Sequence, residues 1–217
     1  MKYNIDMCYN PTVSIGTFIF GVSVAILAFL SDKIKNKRAI IVFLSITAMQ
    51  LLEYFAWTYY NNKKIIKILS VLGLLLLLLQ IILLIYYFTH DKIRKFLFIS
   101  LGVFIILFIF LQLPYMNFDM TVGKNKHLIW HWLDLPLIWI VFILIFYIIP
   151  LLHLNNYLST FFSLFMLITS IFFYWKYKTW GTMWCYFLNL YWIFVLIIII
   201  YRTYEYPQKL INISINK

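Results

Sequence analysis

The stretch Ile65-Ile66-Lys67-Ile68-Leu69-Ser70-Val71-Leu72-Gly73-Leu74-Leu75-Leu76-Leu77-Leu78-Leu79-Gln80-Ile81-Ile82-Leu83-Leu84-Ile85-Tyr86-Tyr87-Phe88 decides the fold. After Lys67 it carries only Ser70 and Gln80 as strongly polar side chains. A bilayer core about 30 Å thick is crossed by about 20 apolar residues of helix, each rising about 1.5 Å. The segment therefore predicts a transmembrane helix, set off by Asn61-Asn62-Lys63-Lys64 before it and His90-Asp91-Lys92 after it.

Working outward, comparable apolar stretches fall at about 12–30 and 39–60 on one side, and at about 94–114, 134–153, 157–175 and 180–201 on the other. With 65–88 they predict an all-α fold, a polytopic transmembrane bundle of seven helices, with residues 1–217 forming one transmembrane domain. Lys37-Arg38 and Arg202 mark further boundaries. The break between helices five and six rests on His153-Leu154-Asn155-Asn156, where the paired asparagines are good turn chemistry. The first stretch reads as a signal anchor, because its apolar run is too long for a cleaved leader and no A-x-A site follows. The longest connection, about 115–133, is too short to fold by itself.

Composition agrees. The chain is 65% hydrophobic and 12% charged, against about 45–50% and about 25% in soluble domains. Disorder, a collagen-like fibre and an ordinary cytosolic enzyme are excluded. The net charge of +11 does not point to nucleic acid. The basic side chains flank apolar stretches, where they anchor helices in headgroups, and the excess of Lys over Arg fits an AT-rich genome. The expected partner is the lipid bilayer, with no nucleic acid, and the chain is expected to be a multi-pass integral membrane protein. Of the 18 Lys and Arg residues, ten fall on the side of Arg38, Arg94 and Arg202 and eight on the side of Lys64 and Lys178. The positive-inside rule then leans towards the N-terminus outside or lumenal and the C-terminus cytoplasmic.

With seven alternating helices, one membrane face receives the start of helix one, the end of helix two and the starts of helices five and seven. The residues hardest to explain as lipid filler lie at those places: Cys8 to Ser14, Gln50 to Trp57, His127 to Asp134, and Trp180 to Cys185. Glu53 is the sharpest of them, the one carboxylate well inside a span. An ionised group there costs about 2.5–3.5 kcal/mol on insertion scales, so it is expected to face protein or water, or to be protonated or paired. Gln50 and Trp57, at i−3 and i+4, share its helix face. Glu53 can therefore serve as a proton carrier or general acid, or as a structural residue hydrogen-bonded to a neighbouring helix.

His127, His131 and Asp134 would share a face on a helix, and His-x3-His spacing can hold a metal. The same segment also reads as an aromatic belt of Trp130, Trp132 and Trp139, with Asp134 capping a helix that begins near Pro136. Cys8 and Cys185 fall on one face, so a disulfide between them is topologically allowed; two such cysteines also serve as inert small hydrophobes. Asn10 and Pro11 read as a helix start. Ser14 lies a turn later, where a Ser–His–Asp set with His131 and Asp134 lacks a nucleophile-elbow context. Trp184 opens helix seven, and Asn189 extends its polar face inward. Gln80 is expected to hydrogen-bond across a helix pair, and Gly16 and Gly21 to permit one close helix contact. No cofactor is expected.

At these residues the chain resembles a family of uncharacterised multi-pass membrane proteins found in bacteria and, in divergent form, in large DNA viruses and algae. The resemblance rests on Met7-Cys8-Tyr9-Asn10-Pro11-Thr12-Val13-Ser14, on the Gln-x-x-Glu-x-x-x-Trp block from Gln50 through Glu53 to Trp57, and on Trp184-Cys185-Tyr186-Phe187. The family has Phe-Ser where this chain has Tyr9-Asn10. The resemblance implies the architecture and the site and names no activity. Microbial-type rhodopsins need a lysine in the last helix, and 180–201 has none. Alkaline-ceramidase-like hydrolases gather three histidines on one face, whereas here they divide two and two.

Three functions fit these residues. The first is a transporter or channel-like protein holding a proton, cation or small solute at Glu53 and Gln50. The second is a membrane-embedded enzyme acting on a lipid or lipid-linked substrate. The third is a structural or assembly protein. A homo-oligomer is compatible with each.

Overall fold

The computed structural model describes residues 10–32, 34, 36–154 and 157–215, with backbone only for 157, 158 and 204–215. Seven helices run through them: α1 (Pro11–Leu30), α2 (Lys37–Thr58), α3 (Lys63–Phe88), α4 (Asp91–Leu111), α5 (Leu137–Leu152), α6 (Tyr157–Tyr174) and α7 (Trp180–Ile215). Six have apolar stretches long enough to cross a membrane, and α5 is the shorter apolar one. The multi-pass helical bundle expected from the hydropathy pattern is what the chain forms. Cys8 and the Asn155-Asn156 break lie outside the described residues.

The starts of α1, α2 and α3 are set by asparagine. The Asn10 side chain accepts from Val13 N at 3.0 Å, Asn36 from Ala39 N at 3.3 Å, and Asn62 from Lys64 N and Ile65 N at 3.2 and 3.3 Å. Each satisfies amide groups that the first turn leaves without an intrahelical partner. At the other end of α1, Lys37 Nζ donates to the carbonyls of Ala28, Phe29 and Ser31 at 2.8, 2.6 and 2.5 Å. A cation at a helix C-terminus complements its dipole and ties the α1–α2 turn together.

α5 differs from the expected 134–153. It begins at Leu137, and its 16 residues span only about 24 Å at 1.5 Å each. The residues before it form a β-hairpin, β1 (Met120–Val122) against β2 (Leu128–Trp130), in register Met120↔Trp130, followed by a 3-10 turn over His131–Leu133. Leu128, Trp130 and Trp132 are buried. This period-two alternation is a strand signal, which the Pro136 start of α5 leaves free to form.

α2 is the centre of the bundle, packed against α1, α3 and α7, while α5 packs on α3 and α6 on α7. α4 is peripheral. It buries only Leu97, Leu101 and Phe108 and presents Phe96, Ile99 and Phe110 outward, as suits a lipid-facing helix. Two polar networks cross the interior. Trp192 Nε1 donates to Thr47 Oγ1 at 2.6 Å, Thr47 Oγ1 to Asn189 Oδ1 at 2.9 Å, and Asn189 Nδ2 to Cys185 O at 2.8 Å. In the second, Tyr147 OH donates to Gln80 Oε1 and Gln80 Nε2 to Ser45 O at 3.2 Å. Gly21 admits the first network, since a Cβ there would lie 2.7 Å from Thr47 and 2.9 Å from Trp192, whereas Gly16 has none of the described residues within 4 Å.

Candidate functional site

The α2 face bearing Met49, Gln50, Glu53 and Ala56 is buried. Glu53 is 1% exposed and therefore turned away from lipid. It borders a cavity of about 20 Å³ whose lining runs from Leu133 of the 3-10 turn, with Trp180 and Gly181 at the α7 start, to Leu77 and Cys185 within the bundle. That is room for roughly one water molecule.

The hairpin and the turn after it cover this cavity. Trp130 and Trp132 line it from above, edge to face at 5.9 Å and 74°. Trp130 sits over Gly73 of α3, where a Cβ would come 2.9 Å from its ring. Leu133 closes over Gly181 in the same manner. The cover is pinned to the α7 start, with Thr182 Oγ1 donating to Leu128 O at 3.0 Å and Asn125 Nδ2 to Thr179 Oγ1 at 2.8 Å. Trp184 completes the wall, its ring edge-on to Tyr147 at 4.5 Å.

Buried polar atoms without partners also occur at Ser14, Ser70 and Ser163, but several gather here. Among the described residues, Glu53 Oε1 and the indole nitrogens of Trp130, Trp132 and Trp184 are buried without a hydrogen-bond partner. Glu53 and the three tryptophans all line the one cavity. Acceptor and donor capacity is thus concentrated around a water-sized space.

Of the residues singled out in the sequence, Glu53, Trp184 and Cys185 line the cavity. Gln50 is fully buried one turn further along α2, and Asn189 lies one turn beyond Cys185, bonded to Thr47. Trp57 is half-buried at the edge of the same α2 face. Asn10 is the α1 cap. Ser14 is buried on α1, but neither Asn10 nor Ser14 lines the cavity. Pairing of Cys8 with Cys185 falls outside the described residues.

The helical face expected for His127, His131 and Asp134 does not form. His127 precedes β2 and His131 follows it, and four extended residues cover about 13 Å instead of one helical turn. The His127 ring packs on Tyr174 at 5.8 Å, while His131 Nε2 meets Thr121 Oγ1 at 2.9 Å. Among the described residues no group of three His, Cys, Asp or Glu is placed to hold a metal. Asp134 does not cap α5. Its carboxylate takes Lys178 Nζ at 2.5 Å, and Pro136 stands at the cap position without a side-chain bond. Burial holds the His127 imidazole below its usual pKa.

Pattern reading missed Trp130 and Trp132 as cavity walls, because tryptophans beside polar residues resemble an interfacial belt. It also missed Thr47 and Trp192, which read as ordinary helix residues until Gly21 brings α1 against them. Comparison with protein-family models, with curated proteins and with solved structures gives no match. The class defined by fold and composition is a multi-pass helical membrane protein.

Proposed function

We propose that the protein is a transporter or channel-like membrane protein in which Glu53, with Gln50 beside it, binds a proton or small cation beneath the 120–133 cover. The observation that carries this is Glu53 Oε1, buried without a partner among the described residues and bordering a cavity of about 20 Å³. A buried carboxylate is either ionised, and in need of a counter-charge, or neutral and holding a proton. Both forms tie it to an ion, and the small cavity favours a proton or bare ion over an organic solute.

A purely structural role is served by satisfied networks, such as those of Gln80 and Asn189, and Glu53 departs from them. An enzyme would need an acid–base partner at the carboxylate. His131 and Asp134 are held instead by Thr121 and Lys178, outside the cavity lining. The resemblance through Gln50, Glu53 and Trp57 supports the same site, and the charge distribution supports an outside N-terminus.

The test is proton flux into liposomes containing the purified protein, followed with a trapped pH-sensitive dye under an imposed potassium diffusion potential. Glu53→Gln is expected to abolish the protein-dependent flux while helicity and melting temperature hold. Flux at the wild-type rate in that variant would reject the proposal.

A further inference from the structure

The opposite end of the bundle carries a second feature, independent of Glu53. The start of α2, the α3–α4 turn and the end of α5 enclose an open pocket of about 220 Å³, whose lining includes Arg38, His90, Arg94 and His153 and, among the described residues, no carboxylate. Four basic side chains from three separate places in the chain thus meet in one concavity.

Arg94 is held in place. Its Nη2 donates to Thr89 O at 2.7 Å and its Nη1 to Asp91 Oδ1 at 3.1 Å, and its guanidinium lies 5.4 Å from the centre of the Tyr86 ring. These bonds use two of five N–H donors; Nε is buried without a partner among the described residues. The Asp91 side chain is 87% exposed, so water screens it and the pocket keeps its positive character. His153 Nδ1 lies 2.8 Å from Ile149 O. A carbonyl only accepts, so Nδ1 carries the hydrogen. His90 stands edge-on to His153 at 6.5 Å. It also occupies the α4 cap position without a side-chain bond, adding the helix's positive end.

This pocket shares Asn36 and Leu154 with an adjoining groove of about 180 Å³, walled by Ile40, Tyr191, Phe194 and Val195. A cationic pocket thus continues into a mostly apolar groove, which Ser159 and Arg202 also line. Free phosphate would explain the first and not the second. A zwitterionic or neutral amphiphile would explain the second and not the first.

We infer that this end of the bundle binds one anionic phospholipid, its phosphate held by Arg38 and Arg94 beside the two histidines, and an acyl chain lying in the groove. Basic pockets between membrane helices recognise such headgroups by charge and by bidentate guanidinium bonds.

The full chain, purified in mild detergent, is mixed with equal amounts of phosphatidylglycerol and phosphatidylcholine and examined by native mass spectrometry. Phosphatidylglycerol is expected to be retained preferentially at one copy per chain. Inorganic phosphate and glycerol 3-phosphate at millimolar concentration are expected not to displace it. Arg38→Ala, at an exposed position, is expected to weaken retention about fivefold, and Arg94→Ala by at least as much. Should Arg94→Ala fail to fold, the Arg38→Ala result decides. Equal retention of both lipids, or retention untouched by Arg38→Ala, would overturn the inference. Displacement by inorganic phosphate would reassign the pocket to a free anion and overturn the lipid assignment.

Discussion

Gly73→Ala puts a single methyl group against the cover of the Glu53 cavity. The added Cβ would lie 2.9 Å from Trp130 Cζ3 and 3.4 Å from Cε3 and Cη2. Carbon atoms rest at about 3.5–4.0 Å, so the indole must retreat by roughly 0.6–1.1 Å. It has little room, being 2% exposed with Trp132 against it. Overpacking of this kind costs about 1–3 kcal/mol, offset by up to about 1 kcal/mol from replacing a helical glycine. Gly102→Ala is the matched control in α4, because nothing lies within 4 Å of its Cβ and only the favourable contribution remains. The two variants should therefore differ by about 1–3 kcal/mol, with Gly73→Ala the less stable. Two measurements read this: the melting temperature in detergent, and the rate at which a small maleimide labels Cys185 in a Cys8→Ser background. Cys185 is buried and lines the cavity alongside Trp130. A cover loosened by one or two kcal/mol opens about 5–30 times more often, and labelling should quicken by that factor. Equal melting and equal labelling in the two variants would show that Trp130 is not seated on Gly73, and the cover as described would be wrong.

Trp192→Phe removes the donor to Thr47 Oγ1 and is expected to lower stability by about 1–2 kcal/mol in a detergent-unfolding titration, combining a lost intramembrane bond with a small void. Asp134→Asn breaks an ion pair whose side chains are 46% and 57% exposed; the melting temperature should stay unchanged, since exposed pairs contribute little. His127 titrates below its usual range because it is buried. The unfolded chain therefore binds the proton more readily, and stability is complete above about pH 6.5 and falls as the pH drops through and below that value. Melting followed from pH 7.5 to 5 should show this loss, and His127→Gln should diminish it.

The bundle was legible because hydrophobic length is a local property. Spans such as 65–88 announce themselves, and the structure extends that one only to Lys63–Phe88. Glu53 was legible for a related reason, since an isolated carboxylate among apolar neighbours must turn inward. What surrounds it was not. The walls are neutral tryptophans, whose inward or outward orientation depends on whether a neighbouring element leaves room. Gly73 and Gly181 supply that room for Trp130 and Leu133, and a glycine in a leucine-rich helix does not name its partner. The His127–Asp134 segment misled because the same residues fit a helix with period 3.6 or a strand with period two, and hydropathy alone does not choose. Pro136 and the Asp134–Lys178 pair choose here, and the second is a contact across 44 positions of sequence.

Two sets of polar side chains within the spans contrast, apart from the hydroxyls of Ser14, Ser70 and Ser163, which are buried without a partner among the described residues. Thr47, Asn189, Gln80 and Tyr147 are neutral and bonded to one another or to backbone. Removing one of these orphans another, so their replacement should reduce stability. Glu53 Oε1 has no such partner among the described residues, so exchanging Glu53 for its amide breaks no bond to that oxygen. The exchange also deletes a group whose charged form is costly at that depth. Glu53→Gln should therefore melt at or above the wild-type temperature while flux is lost, the pattern of a residue retained for activity at the expense of stability. A fall in melting temperature as large as that of Trp192→Phe would instead place Glu53 among the structural polar groups and leave the cavity as a packing defect beside it.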